Sequence, residues 1–384
     1  FGTLIHDKYR NIILCIVITD SCNLKCRYCY ESLTQNTQTT INIENLMMIY
    51  SSMRKMYPMK YITLSFFGGE PFLEFSKIKE FIGKIKKTDS LVKFSAVSNG
   101  TLIDDGIAKF IISNFSSITI SFDGLPNTHN ANRTYKNGLG SFCDTVKGIQ
   151  LLKKYNTRNE IPINCELTIT DAFLNYCNRE NITDLFNNLI KLGFSSVAFI
   201  PQINVSNINF KYYVEILSSF ALNLIDIWIN ELLSFKMRIN IPVLESIIKV
   251  LFKNGDYSNK TCGAGSNYFA IFPDGNIYDC QVSKYNGSTP LGFIKNENYQ
   301  ILNLKSNYPK LKSDIPTCKY CKYKRVCNVF CKAILASQRY ENASCFFLKQ
   351  LFNALLKKIV EIYTSEQKEI FINAIKSIYG KKHG

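Results

Sequence analysis

The chain does not open with the basic stretch and long apolar run of a secretory signal, and nowhere does it hold 18 consecutive apolar residues. The first absence removes export from the reading, and the second removes a membrane span. Histidine is scarce: only His6, His129 and His383 occur in 384 residues, none beside a cysteine. Acidic residues are outnumbered, 30 Asp and Glu against 46 Lys and Arg, for a formal net charge of +16. Those basic residues are scattered, with no helix-turn-helix, zinc-finger or RNA-binding signature, so nucleic acid is not an expected partner. No internal repeat or low-complexity linker interrupts the sequence.

What the chain does have is cysteine, fourteen in all. Without export, so many thiols read as metal ligands or catalytic groups kept reduced in the cytoplasm, not as a disulfide scaffold. Length and a 46% hydrophobic content allow a sizeable core and more than one domain. Metal-bound thiolates would offset part of the positive charge, because the formal count takes every cysteine as neutral. The remainder suits an acidic partner.

Short apolar runs alternate with amphipathic ones over the first two hundred residues. Strands are expected at Ile12–Thr19, Tyr61–Phe67, Val92–Ser98, Ser117–Phe122, Ile163–Thr170 and Ser196–Pro201, apolar enough to be buried on both faces of a parallel sheet. Helices are expected at Ile43–Met56, Glu74–Lys87, Asp104–Asn114, Ser141–Lys154 and Asn181–Leu192, with Asp104 and Ser141 as N-caps. Six such units imply right-handed crossovers and a sheet curled toward a barrel. Residues 211–252 read as core-packing helix, with Tyr213, Ile216, Phe220, Leu224 and Trp228 at helical spacing. Beyond Cys262 the segments shorten. Tyr268–Phe272 and Ile277–Cys280 flank Pro273-Asp274-Gly275-Asn276, a hairpin turn in which Gly275 supplies positive φ, and 346–379 reads as a helical tail.

The polar punctuation falls at strand C-termini. Gly68-Gly69-Glu70-Pro71 follows the second strand, Ser98-Asn99-Gly100 the third and Ser121-Phe122-Asp123-Gly124 the fourth. This is the face where barrel-like α/β enzymes build active sites. After the first strand come Cys22, Cys26 and Cys29, spaced C-x3-C-x2-C. Three thiolates on one tight loop can hold three corners of a cubane iron–sulfur cluster and leave the fourth iron open to a small molecule. Zinc would ask for a fourth Cys or His close in sequence. Cys15, Cys143, Cys165 and Cys177 read as small buried packing residues.

Together these features resemble the radical S-adenosylmethionine (SAM) superfamily. The resemblance implies that SAM chelates the open iron of a [4Fe–4S] cluster. One electron, from an external donor of flavodoxin or ferredoxin type, then yields a 5′-deoxyadenosyl radical. By the same resemblance Gly68, Gly69 and Glu70 receive the SAM amino group, and Asn99 and Ser121 its ribose or carboxylate. Arg133 lies near the carboxylate, and Tyr28 beside the adenine.

A second constellation runs C-x12-G-x4-C from Cys262 through Gly275 to Cys280, then C-x2-C-x5-C-x3-C over Cys318, Cys321, Cys327 and Cys331, then Cys345. It resembles the SPASM extension of radical SAM enzymes, which implies two auxiliary [4Fe–4S] clusters and three clusters in all. Carried over, Cys318, Cys321, Cys327 and Cys345 hold the distal one, and Cys262, Cys280 and Cys331 the proximal one. No further cysteine stands in Gly263-Ala264-Gly265-Ser266-Asn267, so the proximal cluster is expected to have an open iron. A fourth ligand such as Cys143 or Cys177 would overturn that.

The expected architecture is α/β: a partial (β/α)6 TIM-like barrel over 1–205, a helical connection over 206–260, a small Cys-rich SPASM domain with a β-hairpin over 261–345, and a C-terminal helical tail over 346–384. The resemblance implies a peptide- or protein-modifying oxidoreductase. Gln281 stands where the sulfatase-maturing branch is expected to carry an aspartate base, which argues against formylglycine formation; of the cross-linking branch, a thioether-forming peptide maturase is expected ahead of a carbon–carbon one. Asp274 and Tyr278 are catalytic candidates by position alone. The basic surface suits an acidic leader on the substrate, and the leader-binding domain common in such maturases is not seen before the first strand. A non-catalytic iron–sulfur carrier is the contrasting class, but it would need no SAM pocket.

Overall fold

The computed structural model describes residues 11–30, 39–177, 181–202, 210–235, 238–252, 262–295, 298–300, 314–324, 326–327 and 343–379. Six strands, β1 (Asn11–Thr19), β2 (Tyr61–Gly68), β3 (Val92–Ser98), β4 (Ser117–Ser121), β5 (Ile163–Ile169) and β6 (Ser196–Pro201), lie side by side and parallel. Between them run α1 (Ile43–Met56), α2 (Phe75–Lys86), α3 (Asp105–Asn114), α4 (Pro126–Asn132), α5 (Phe142–Tyr155), α6 (Asp171–Tyr176) and α7 (Asn181–Leu192). The short helices α4 and α6 had no apolar period to announce them.

The sheet does not stop at β1. A hairpin, β7 (Tyr268–Ile271) and β8 (Asn276–Tyr278), turns at Gly275 with φ +83, and β7 pairs in parallel with β1. With β9 (Gly292–Lys295) and β10 (Asn298–Gln300) the sheet reaches ten strands, ordered β10-β9-β8-β7-β1-β2-β3-β4-β5-β6. It is not closed, yet it curls. In a flat sheet β5 and β7 would stand roughly 24 Å apart at ~4.8 Å per strand. Instead the Glu166 charge on β5 acts on the Tyr268 phenol of β7. The two strands face one another across a lumen.

Alternation along the strands sorts the faces. Ile62, Leu64 and Phe66, Ile118 and Ile120, and Ile163, Cys165, Leu167 and Ile169 join one apolar core with the surrounding helices. The opposite face carries Thr63, Ser65, Ser95, Thr119, Ser121, Asn164, Glu166, Thr168 and Ser196. Strands apolar on both faces were expected, and only β1 meets that, because Cys15 and Val17 pack against Ala270, Phe272 and Tyr278 of the hairpin. The other strands line an open lumen, whose polar wall has no need of apolar filling.

Asp104 caps α3 through the Ile107 amide at 2.8 Å. Ser141 occupies the cap position of α5 but does not cap it; Asn130 accepts from the Phe142 amide at 3.0 Å instead. Cys15, Cys165 and Cys177 are buried as expected, but Cys143 is exposed on α5. The 211–252 stretch divides into α8 (Phe210–Leu233) and α9 (Pro242–Phe252), and the tail into Ala343–Tyr363 and Lys368–Tyr379. Among the described residues α8 alone is long and apolar enough to cross a membrane. Its Phe220 ring stacks on Phe347 at 6.1 Å and Trp228 is 1% exposed, so its apolar face is core.

Candidate active site

At the C-terminal end of the strands, β2 carries on past its last residue alongside the cysteine loop. The Gly69 amide donates to the Thr19 carbonyl at 3.0 Å and the Glu70 amide to the Ser21 carbonyl at 2.9 Å. Any side chain here would collide with the loop. A Cβ on Gly68 (φ +134) would lie 2.3 Å from the Thr19 oxygen, and one on Gly69 2.3 Å from the Ser21 oxygen. The glycine pair thus lets two backbones close up and fixes where Cys22 begins.

Glu70 is fully buried and held by three donors: the Phe72 amide at 3.1 Å, the Ser98 hydroxyl at 2.8 Å and the Asn99 amide at 2.8 Å. Burial pushes its carboxyl up to about 7 against the pull of those bonds. Asn99 accepts from the Thr101 amide at 2.9 Å through its side-chain oxygen, and its Nδ2 donates to Asn23 at 2.9 Å, within 3.9 Å of the Cys22 sulfur. Strand ends β2 and β3 are therefore tied to the loop through one carboxylate and two amides.

The other side of the loop meets β4. Tyr28 donates its hydroxyl to Asp123 at 3.0 Å, and Arg133 pairs with the same carboxylate at 3.1 Å while lying 5.2 Å over the Tyr28 ring. The Thr168 amide adds a 3.1 Å bond to Asp123. Arg133 is 6% exposed and stays protonated beside that carboxylate. It also bonds the Cys26 thiol, which burial raises to about 11 while Arg133 draws it down. Cys22 is raised to about 12, chiefly by burial, and the charges of Cys26 and Cys29 reach it. The three thiols face one another, yet among the described residues no three acidic, His or Cys groups converge tightly enough for a single ion.

Asp123 and His129 had no role in the sequence reading. His129 is fully buried against the Phe122 and Phe142 rings. Its Nδ1 accepts from the Asp123 amide at 3.3 Å, so the proton sits on Nε2, 3.0 Å from the Ser141 hydroxyl, which donates to the Arg133 carbonyl at 2.7 Å. Burial, and then the Arg133 charge, hold its pKa well below the usual histidine value. One neutral imidazole thus braces the backbones of both Asp123 and Arg133. The only hint in sequence was its place four residues before Arg133, helical spacing that puts the Arg133 amide 2.7 Å from the His129 carbonyl.

Ser121 ends β4, paired in register with Glu166 of β5. In the C-terminal region Cys345 feels the charges of Cys327, Cys318 and Cys321, and Cys280 that of Cys262. Cys331 lies outside the described residues. Asp274 accepts from the Asn276 amide at 3.0 Å and pairs with Lys284 at 3.3 Å, while Tyr278 packs edge-on to Phe272 at 5.2 Å. Those are the contacts of a turn cap and a packing ring.

The site is a half-open parallel barrel with a three-thiol loop clamped at its mouth. The profile of the Radical SAM superfamily matches residues 16–186, so this part of the chain is a Radical SAM domain. Its fold implies a [4Fe–4S] cluster and SAM. The chain is 24% identical over 368 residues to the cysteine-type anaerobic sulfatase-maturating enzyme of Clostridium perfringens (strain 13 / Type A), spanning 90% of this chain and 96% of that one. It is 21% identical over 319 residues to the sporulation killing factor maturation protein SkfB of Bacillus subtilis (strain 168), covering 82% and 70%. Native anSMEcpe with bound AdoMet and Kp18Cys peptide shares the fold at a TM-score of 0.71 and 23% identity, over 92% of this chain and 99% of that one. These likenesses indicate that the protein is an enzyme.

Proposed function

We propose that this enzyme oxidises a cysteine-containing peptide, joining the cysteine sulfur to a carbon as a thioether, with one hydrogen lost to a 5′-deoxyadenosyl radical, the thiol proton to solvent and the remaining electron to an auxiliary iron–sulfur cluster. When bound, the [4Fe–4S] cluster and SAM supply a 5′-deoxyadenosyl radical that removes hydrogen from an unactivated C–H. In this reading Cys22, Cys26 and Cys29 hold that cluster. Glu70, with Gly68 and Gly69, receives the SAM ammonium, and burial makes it a strong partner for a cation. Asn99, Ser121 and Arg133 meet the ribose and carboxylate, and Tyr28 flanks the adenine. Asp123 keeps Arg133 and Tyr28 in place while SAM enters. Cys318, Cys321, Cys327 and Cys345 would hold a distal auxiliary cluster and Cys262, Cys280 and Cys331 a proximal one with an open iron. A flavodoxin- or ferredoxin-type protein would deliver the electron. An acidic leader on the peptide suits the +16 charge.

Gln281 carries the choice of reaction. It is 4% exposed, and its side-chain carbonyl accepts the Tyr268 hydroxyl at 2.7 Å. An amide so fixed cannot take up a proton where a formylglycine-forming site is expected to use aspartate. The second reading, formylglycine formation, is favoured by the near full-length match to the cysteine-type maturase. Mass spectrometry of a Cys-rich peptide encoded beside the gene, after incubation with enzyme, SAM and reductant, separates them. Loss of two hydrogens per cross-link supports thioether formation; a thiol turned to an aldehyde installs the second reading.

A further inference from the structure

Among the described residues Glu166 is a carboxylate with no ion pair or side-chain hydrogen bond, in a protein rich in cations. It sits on the lumen face of β5, since its neighbours Cys165 and Leu167 enter the apolar core on the other face. Its side chain is half-buried, yet none of the ion pairs or side-chain hydrogen bonds among the described residues involves it. That is unexpected for a chain with 46 Lys and Arg, because a half-buried carboxylate normally recruits one. Asn164 on the same face is satisfied by the Ser196 hydroxyl at 2.8 Å.

Its position is well defined. In register it stands between Ser121 of β4 and Ala198 of β6. Thr168, two residues on and ~7 Å further along the same face, bonds Tyr28 in the candidate SAM site. Across the lumen stands Tyr268, half-buried, its phenol raised first by burial and then by Cys15, Cys280 and Glu166. Tyr268 in turn holds Gln281, the residue after Cys280.

We propose that Glu166 is a specificity-determining residue that binds a cationic side chain, Lys or Arg, of the peptide close to the carbon that is oxidised. A half-buried carboxylate on a polar wall forms charge-assisted hydrogen bonds with an ammonium or guanidinium. No cation of the protein competes for it among the described residues. The inference rests on the peptide-modifying reading and deepens it.

The test uses the reconstituted full chain with SAM and reductant, and a pool of random short peptides that each carry one central cysteine. Modified members are sequenced by mass spectrometry. The wild type is expected to enrich Lys or Arg at a fixed offset from the reacting position by about tenfold or more, the size of one charge-assisted bond. Glu166→Gln should lose that preference and Glu166→Lys should turn it toward Asp and Glu. Both variants should cleave SAM without peptide at the wild-type rate, which shows that they fold. Equal selection by wild type and variants overturns the proposal, as does selection by the wild type without a basic preference. So does weaker SAM binding by Glu166→Gln with selection unchanged, which would assign the carboxylate to the ribose. A wild type that cleaves SAM but modifies no peptide overturns the peptide-modifying reading beneath it.

Discussion

Burial has settled the protonation of His129 across the working pH range. In the unfolded chain the same imidazole takes a proton below about pH 6.5. As pH falls through that value the unfolded state binds a proton that the folded state refuses, so stability drops by up to ~1.4 kcal/mol per unit. His129→Phe keeps the ring contacts and removes this slope, so unfolding curves of the two proteins should converge as pH falls from 7 to 5. The same variant leaves the Asp123 amide and Ser141 hydroxyl unbraced. SAM affinity should fall by about tenfold, with iron content unchanged, and His129→Gln should recover part of it through Nε2. Ser141 shows why this was illegible. A serine before an amphipathic run reads as a cap, whereas tertiary contacts here turn its hydroxyl to Arg133 and leave the capping to Asn130. The Gly68-Gly69 pair was legible, since glycines at a strand end signal close approach; that the partner is the cysteine loop emerges only from pairing of β1 with β2.

At the scale of elements, strong periodicity was a sufficient guide. β3, β6, α1 and α7 begin and end where their patterns do. What pattern could not supply was the second face of each strand, because an open barrel leaves it polar. α8 shows the converse: its composition would suit a membrane, and packing against Ala343–Tyr363 explains it. Trp228 of α8, 1% exposed, is the chain's one tryptophan. Trp228→Ala should cost about 3–5 kcal/mol, read as a lower urea midpoint for the metal-free chain. A cost under ~1 kcal/mol would mean that the core collapses around the void.

Across the whole molecule, the hairpin that leads to Cys280 is an extension of the barrel's own sheet. β1 would otherwise expose an unpaired edge, and β7 covers it. Sequence places these two strands some 250 residues apart, too far for any local signal to join them. The loop of Cys22, Cys26 and Cys29 and the hairpin that leads to Cys280 are thereby set on neighbouring strands. The active-site motifs were legible because glycine, carboxylate and cysteine at strand ends have few other uses. The lumen wall was not, because Glu166 looks like any strand carboxylate until the curl of the sheet sets Tyr268 opposite.

The measurement that bears most directly on this account is SAM cleavage by the anaerobically reconstituted chain under dithionite, with metal counted in the same sample. The account predicts roughly twelve irons per chain, four for each of three clusters, and steady formation of 5′-deoxyadenosine and methionine that disappears in Cys26→Ala. Zinc in place of iron, or an iron-loaded and reduced protein that leaves SAM intact, would contradict it.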